Sequence, residues 1–269
     1  MNKYIKLLTG LVVTGTLWSC SKDSEPEPWL QSWPVITLEG DEVEYAEIGS
    51  DYTLPGFKAT NTITGQDASD RVIVSIYDNI NSRYVDDIST ASAGMYTVYY
   101  DAVASEVTTD PGVSKTRSVF VYNPQVTTDI AGDYSVDVNA SYRYRTSSGE
   151  NKTFAEVASD NKNDISEGIN VSISQIAPSL YEINDLLGGL VEYVYGYGPN
   201  NPSFNFKDHA YLYLDTENNI TLLTASFGYT PWNGNYNVTS LTDAEYDPQT
   251  GSISYKATIN GFILTIVLN

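Results

Sequence analysis

Three groups of residues in this chain have types and spacings that could do chemistry. The first is Cys20, the only Cys, placed directly after an apolar stretch at residues 7–17 that follows Lys3 and Lys6. One Cys offers no second partner for an internal disulfide or a Cys-rich zinc site, so its place after the apolar stretch is what could carry meaning. The second is a set of aromatics mixed with Gly, Pro and Asn. Tyr193, Tyr195 and Tyr197 lie in VEYVYGYGPNNP with Phe204 and Phe206 behind them, and Tyr229 and Trp232 lie in GYTPWNGNY. Such a mixture is loop composition rather than core alternation. Flat rings beside amides suit sugar: the apolar face of a pyranose stacks on a ring while Asn or Asp bonds the hydroxyls. The plainer alternative is that these rings cover a core, as large aromatics usually do. The third group is His209 beside Asp208. No Gly-x-Ser-x-Gly elbow supplies a nucleophile, and no second His or Cys supplies a metal site, so this His is read as a strand-edge residue.

The acids carry less information. With 34 Asp and Glu against 14 Lys and Arg, and a net charge of −20 over 269 residues, some adjacent pairs are inevitable. Asp41-Glu42, Asp86-Asp87 and the Asp101/Asp110 pair are therefore read as solvated acids rather than glycosidase carboxylates or calcium ligands; no Asp-x-Asp-x-Asp-Gly loop is present. The same charge repels phosphate backbones and argues against nucleic acid as a partner. Asn-x-Ser/Thr matches at Asn139, Asn151, Asn170, Asn219 and Asn237 are set aside as chance matches in strands rich in Asn, Ser and Thr. No cofactor, no metal and no catalytic residue are expected, and the chain is read as a non-enzyme.

The elements that must position these groups begin with the leader. Residues 1–19 have the basic start and short apolar run of a secretory signal, too short for the roughly 20 residues of a membrane span. With Cys20 next, the segment resembles a bacterial lipoprotein signal, although Trp18 stands where those signals usually hold a smaller residue. The resemblance implies cleavage before Cys20 and a membrane anchor through lipid on that residue. Residues 20–33, with SKDSEPEPWLQSW after the Cys, form an acidic, Pro-containing tether able to reach about 40 Å. Its Lys22-Asp23 start followed by acids resembles the export signal of Bacteroidetes-type lipoproteins. That implies an outer-membrane location on the cell surface, with the periplasmic face as the alternative. Trp29 and Trp33 are read as anchoring the tether to the first folded unit.

From Pro34 onward alternation dominates and no helix is expected. Val72, Val74 and Ile76 alternate with Ile73, Ser75 and Tyr77; Tyr96, Val98 and Tyr100 with Thr97 and Tyr99; Val119 and Val121 with Ser118, Phe120 and Tyr122. Together with Pro55-Gly56-Phe57-Lys-Ala59 and Gly94-Met-Tyr96-Thr-Val-Tyr-Tyr100, residues 34–122 resemble the immunoglobulin-like domains of bacterial surface lipoproteins. That implies a sandwich acting as a spacer or interaction module. Pro124 marks a break, and residues 130–269 form a second unit of about eight antiparallel strands, a barrel or second sandwich. Its Gly132-Asp-Tyr134 opening and chain of hairpins resemble lipocalin-like domains. The clearest hairpin sets Ile253, Tyr255, Ala257 and Ile259 against Phe262, Leu264, Ile266 and Leu268 across an Asn260-Gly261 turn. The whole resembles the lipoproteins that accompany glycan-uptake systems in Bacteroidetes. The resemblance implies a lipid-anchored glycan-binding protein, with Trp232, Tyr229, Tyr195 and Tyr197 as ligand-contacting residues. The alternative is a lipoprotein that docks on an outer-membrane protein partner.

Overall fold

A computed structural model describes residues 34–62, 64–103, 111–198, 210–224, 238–259 and 261–269. The first seven strands are β1 (Pro34–Leu38), β2 (Val43–Glu47), β3 (Phe57–Asn61), β4 (Val72–Asp78), β5 (Arg83–Val85), β6 (Gly94–Val103) and β7 (Pro111–Tyr122). β1 and β3 pair antiparallel, and β2-β7-β6-β4-β5 form a second sheet in which only β2 and β7 run parallel. The alternation selects the inner face: Val98, Tyr100, Ala102, Val119 and Val121 are buried together with Ile36 and Ala59 of the smaller sheet. In β4 only part of the expected set turns inward. Ile76 is buried, but Val74 is largely exposed and so is Ile73 on the other face.

Arg117 shares the inward face with Val119 and Val121 and is fully buried. Its guanidinium is met by backbone carbonyls and a phenol rather than by a carboxylate. Nε donates to Asp41 O (2.9 Å), Nη1 to Pro55 O (2.6 Å) and Tyr100 Oη (3.2 Å), and Nη2 to Glu39 O. One side chain thus ties the β1–β2 turn to the Pro55-Gly56 turn. Tyr52 Oη is buried without a partner, and burial, then the nearby Glu44, pushes its phenol up to about 12.

The second half contributes β8 (Gly132–Ser135), β9 (Tyr142–Arg145), β10 (Glu150–Thr153), β11 (Asn170–Ala177), β12 (Leu180–Ile183), β13 (Ala210–Leu214), β14 (Ile220–Leu222), β15 (Ser240–Asp247), β16 (Ser252–Ile259) and β17 (Phe262–Leu268). Two five-stranded antiparallel sheets, β14-β13-β12-β11-β8 and β10-β9-β17-β16-β15, enclose one large core. They also join at both edges. Val136 bridges Leu268 and Ser135 exchanges hydrogen bonds with Asn269; Asn219 bridges Glu245 on the other side. A ring of eight strands results, with the β9–β10 hairpin as an extra flap on β17. The β16–β17 register is Ile253↔Leu268, Tyr255↔Ile266, Ala257↔Leu264 and Ile259↔Phe262, as the alternation requires. Asn260 lies outside the described residues; Gly261 has φ +80°, as a tight turn needs.

The expectation of no helix after Pro34 is wrong. Phe154–Asp160 is an α-helix, α1, that buries Phe154, Val157 and Ala158. Thr153 caps it: Thr153 Oγ1 accepts from Glu156 N (3.1 Å) and Glu156 Oε2 accepts from Thr153 N (2.8 Å), the reciprocal pair of a capping box. A second helical segment, Leu190–Val194, makes a π-helical turn with Leu190, Val191 and Val194 in the core. The Gly- and Tyr-rich composition around it suggests loop; the apolar positions 186, 187, 190, 191 and 194 follow a helical period instead. Asp185 accepts from Leu187 N (2.8 Å) and Gly189 N (2.6 Å) and fixes the start of this segment.

The two halves touch through Met95 and Phe120 on one side and Leu180 and Leu223 on the other. Phe120 meets Tyr211 edge-on with ring centroids 5.0 Å apart, and Asn123 N donates to Ser179 Oγ (2.9 Å). Phe120, placed by alternation on the outer face of β7, is therefore buried too. Among the described residues no helix is long and apolar enough to cross a membrane.

Candidate functional site

Of the residues expected to contact ligand, Tyr195 and Tyr197 are described; Tyr229 and Trp232 lie outside the described residues, as do Cys20, Trp29, Trp33, Phe204, Phe206, His209 and Asp110. Tyr195 and Tyr197 follow the π-helical turn. Both are half-buried, packed on the core at one side and open at the other. Their rings stand edge-to-face, centroids 6.3 Å apart and planes at 62°. Tyr193, on the outward side of the turn, is not part of this pair. Gly196 between the two tyrosines has φ +72°, and a Cβ there would fall 2.3 Å from Asn163 Oδ1. Asn163 Nδ2 in turn donates to Val194 O (3.0 Å). Gly196 is therefore required by both its backbone and its neighbour.

The two tyrosines line a cleft of about 290 Å³ near the β16–β17 turn, with Leu187, Leu190 and Val191 on its apolar side and Asn161, Arg143 and Arg145 as its polar groups. This is the lower end of the roughly 300–1,000 Å³ range of small-molecule sites. Arg143 Nη1 donates to Tyr195 Oη (3.2 Å), and Nη2 donates to Glu150. The same guanidinium lies 6.0 Å from the Tyr195 ring centre and 5.7 Å from that of Phe262, and Arg145 lies 5.5 Å from Phe262. Ring, amide and cation are thus gathered at one opening, a set that can stack a flat apolar face and bond hydroxyl or acidic oxygens.

Arg143, Arg145, Asn161 and Phe262 are site residues that sequence reasoning does not single out. The available signal is the run Tyr142-Arg-Tyr-Arg145, a strict alternation that assigns both arginines to one face of a strand. Elsewhere, among the described residues, Asp86 and Asp87 included, no three His, Cys, Asp or Glu side chains group as a metal site.

Residues 123–269, more than half of the chain, match a family model whose description reads "-like, C-terminal domain". The chain belongs to that C-terminal-domain family. Among solved structures, the chain is similar to the lipoprotein BT2262 from Bacteroides thetaiotaomicron, at 23% identity over 87% of this chain and 100% of that one, with a TM-score of 0.40. It is also similar to a protein of unknown function from Bacteroides ovatus, at 11% identity over 88% of this chain and 77% of that one, with a TM-score of 0.22. No curated protein matches the sequence.

Proposed function

We propose that this is a non-enzymatic, lipid-anchored protein of the outer-membrane surface whose C-terminal half binds oligosaccharide, with an immunoglobulin-like first unit as spacer. The anchor reading rests on Cys20 following a secretory leader. The binding reading rests on one observation: Tyr195 and Tyr197 share an open cleft with Asn161 and two arginines. Each component matches what a sugar ring offers, namely a C–H face for the aromatics and hydroxyls for the polar groups. The proposal keeps Tyr229 and Trp232 as ligand-contacting residues on the sequence alone, where they stand among Gly, Pro and Asn in GYTPWNGNY.

The test is a glycan array, then calorimetry, on the full chain purified in detergent. A hit whose affinity falls by about 1–3 kcal/mol in Tyr195→Ala, on the scale of other aromatic stacking sites, is the expected result. Fatty-acid labelling lost in Cys20→Ala is expected of the anchor. An array without hits refutes the binding reading.

A second reading, docking on an outer-membrane protein, is favoured by a different face. Tyr84 is 67% exposed and packs edge-on against Tyr77 (5.2 Å), on the sheet that also leaves Ile73 50% exposed. Co-purification of a membrane barrel, abolished by Tyr84→Glu, would mark that face as the working one.

A further inference from the structure

Strand β9 is arranged against the usual economy of a sheet that covers a core. Its tyrosines, Tyr142 and Tyr144, face outward at 37% and 39% exposure, while Arg143, with only 6% of its surface exposed, points inward. Arg145, two residues on, shares the face of Arg143 and lines the same cleft. Removing a guanidinium from water costs several kcal/mol unless it is fully paired. Arg143 is not: Glu150 takes one nitrogen and Tyr195 another, but Nε is buried with no hydrogen-bond partner. An apolar residue would serve the fold better, so the arginine needs a reason beyond the fold.

The reason lies in the charge around it. Both guanidiniums sit within 6 Å of the Phe262 ring centre. Glu150 is shared between Arg143 and Lys152, 3.6 Å away; Arg145 has no acidic partner among the described residues. In a chain with 34 acids, no carboxylate among the described residues lines the cleft. Distant acids are screened over about 8 Å at physiological salt, so the local field is positive although the molecule is strongly negative. One uncompensated planar cation, with aromatic and aliphatic walls around a small cleft, is complementary to a sugar ring carrying one negative charge.

We propose that the cleft selects an acidic saccharide, a uronic-acid unit whose carboxylate is received by Arg145 while its ring lies against Tyr195 and Tyr197. This rests on the oligosaccharide reading above. Arg145 contacts the carboxylate through its guanidinium fork. Arg143 is a positioning residue: it holds the Tyr195 hydroxyl and adds to the positive potential.

The experiment compares, by calorimetry on the full chain, oligogalacturonate and oligomannuronate with their methyl esters, and with sulfated neutral oligosaccharides. One of the acids should bind at least tenfold tighter than its ester. Arg145→Gln should remove that difference while leaving the melting temperature unchanged, since Arg145 is exposed; Arg145→Lys should restore it in part. An ester that binds as well as its acid, or an Arg145→Gln protein that keeps the difference, overturns the charge assignment while the oligosaccharide reading stands. Tighter binding of the sulfated sugar overturns the carboxylate. If no saccharide binds, acidic or neutral, both readings fall together.

Discussion

Two arginines on inward faces do opposite things. Arg117 closes its surroundings completely: every one of its nitrogens is used, by three backbone carbonyls and the Tyr100 hydroxyl. Arg143 leaves its Nε unpaired and borders a cleft. The first belongs to the fold and the second to the site. Arg117→Met keeps the volume roughly constant but strands the carbonyls of Glu39, Asp41 and Pro55. A loss of about 1–3 kcal/mol is expected, the scale of leaving hydrogen-bond acceptors without their donor, measured by urea unfolding. A loss under about 1 kcal/mol would show that the turns hold without it. Neither arginine could be told from a surface charge by type alone. Arg117 gives itself away only through its place in the Arg117, Val119, Val121 series, and Arg143 only through its tyrosine neighbours.

Where an element alternates over many residues, the sequence is explicit. β16 alternates over its eight residues and β17 buries Leu264, Ile266 and Leu268 on one face, and their pairing follows position by position. Where an element is short or covered on both sides, the pattern fails. α1 has seven residues and only three buried ones, too few for a period to stand out, although Thr153-Phe-Ala-Glu156 is a readable start signal. Phe120 alternates outward but meets Tyr211, and nothing within β7 announces that contact. The aromatic run 193–197 is legible as a site but not as a structure, since half of it continues a helical turn. The cap is the testable part: Thr153→Ala should cost about 1 kcal/mol and Thr153→Ser nearly nothing, read from thermal melts. Equal melts for both would mean that Phe154 burial alone holds α1.

At the scale of the molecule, the sheets do not cross residue 123, and the buried contact between the halves is a cluster of four residues. Residues 34–122 and 130–269 expressed apart should therefore each give a folded protein, judged by circular dichroism and amide dispersion, because each has its own core. The second half should be the more robust, its single core being the larger. Disorder in either piece, with the intact chain folded, would make the Phe120–Tyr211 contact part of one cooperative unit.

The placement of β17 has a consequence for assembly. This strand lies between β9 and β16, and its far end seals the ring against residues 135–137. Its partners are thus both its immediate predecessor and a segment more than a hundred residues upstream. On the proposed export route the first strands of the second half emerge with their edge unoccupied, and stay so until Phe262–Leu268 has crossed. Contacts of that span slow folding, and an open edge invites pairing with a neighbouring chain. On that proposed route the ring closes only once its last strand is available, and the vulnerable interval is the time before then.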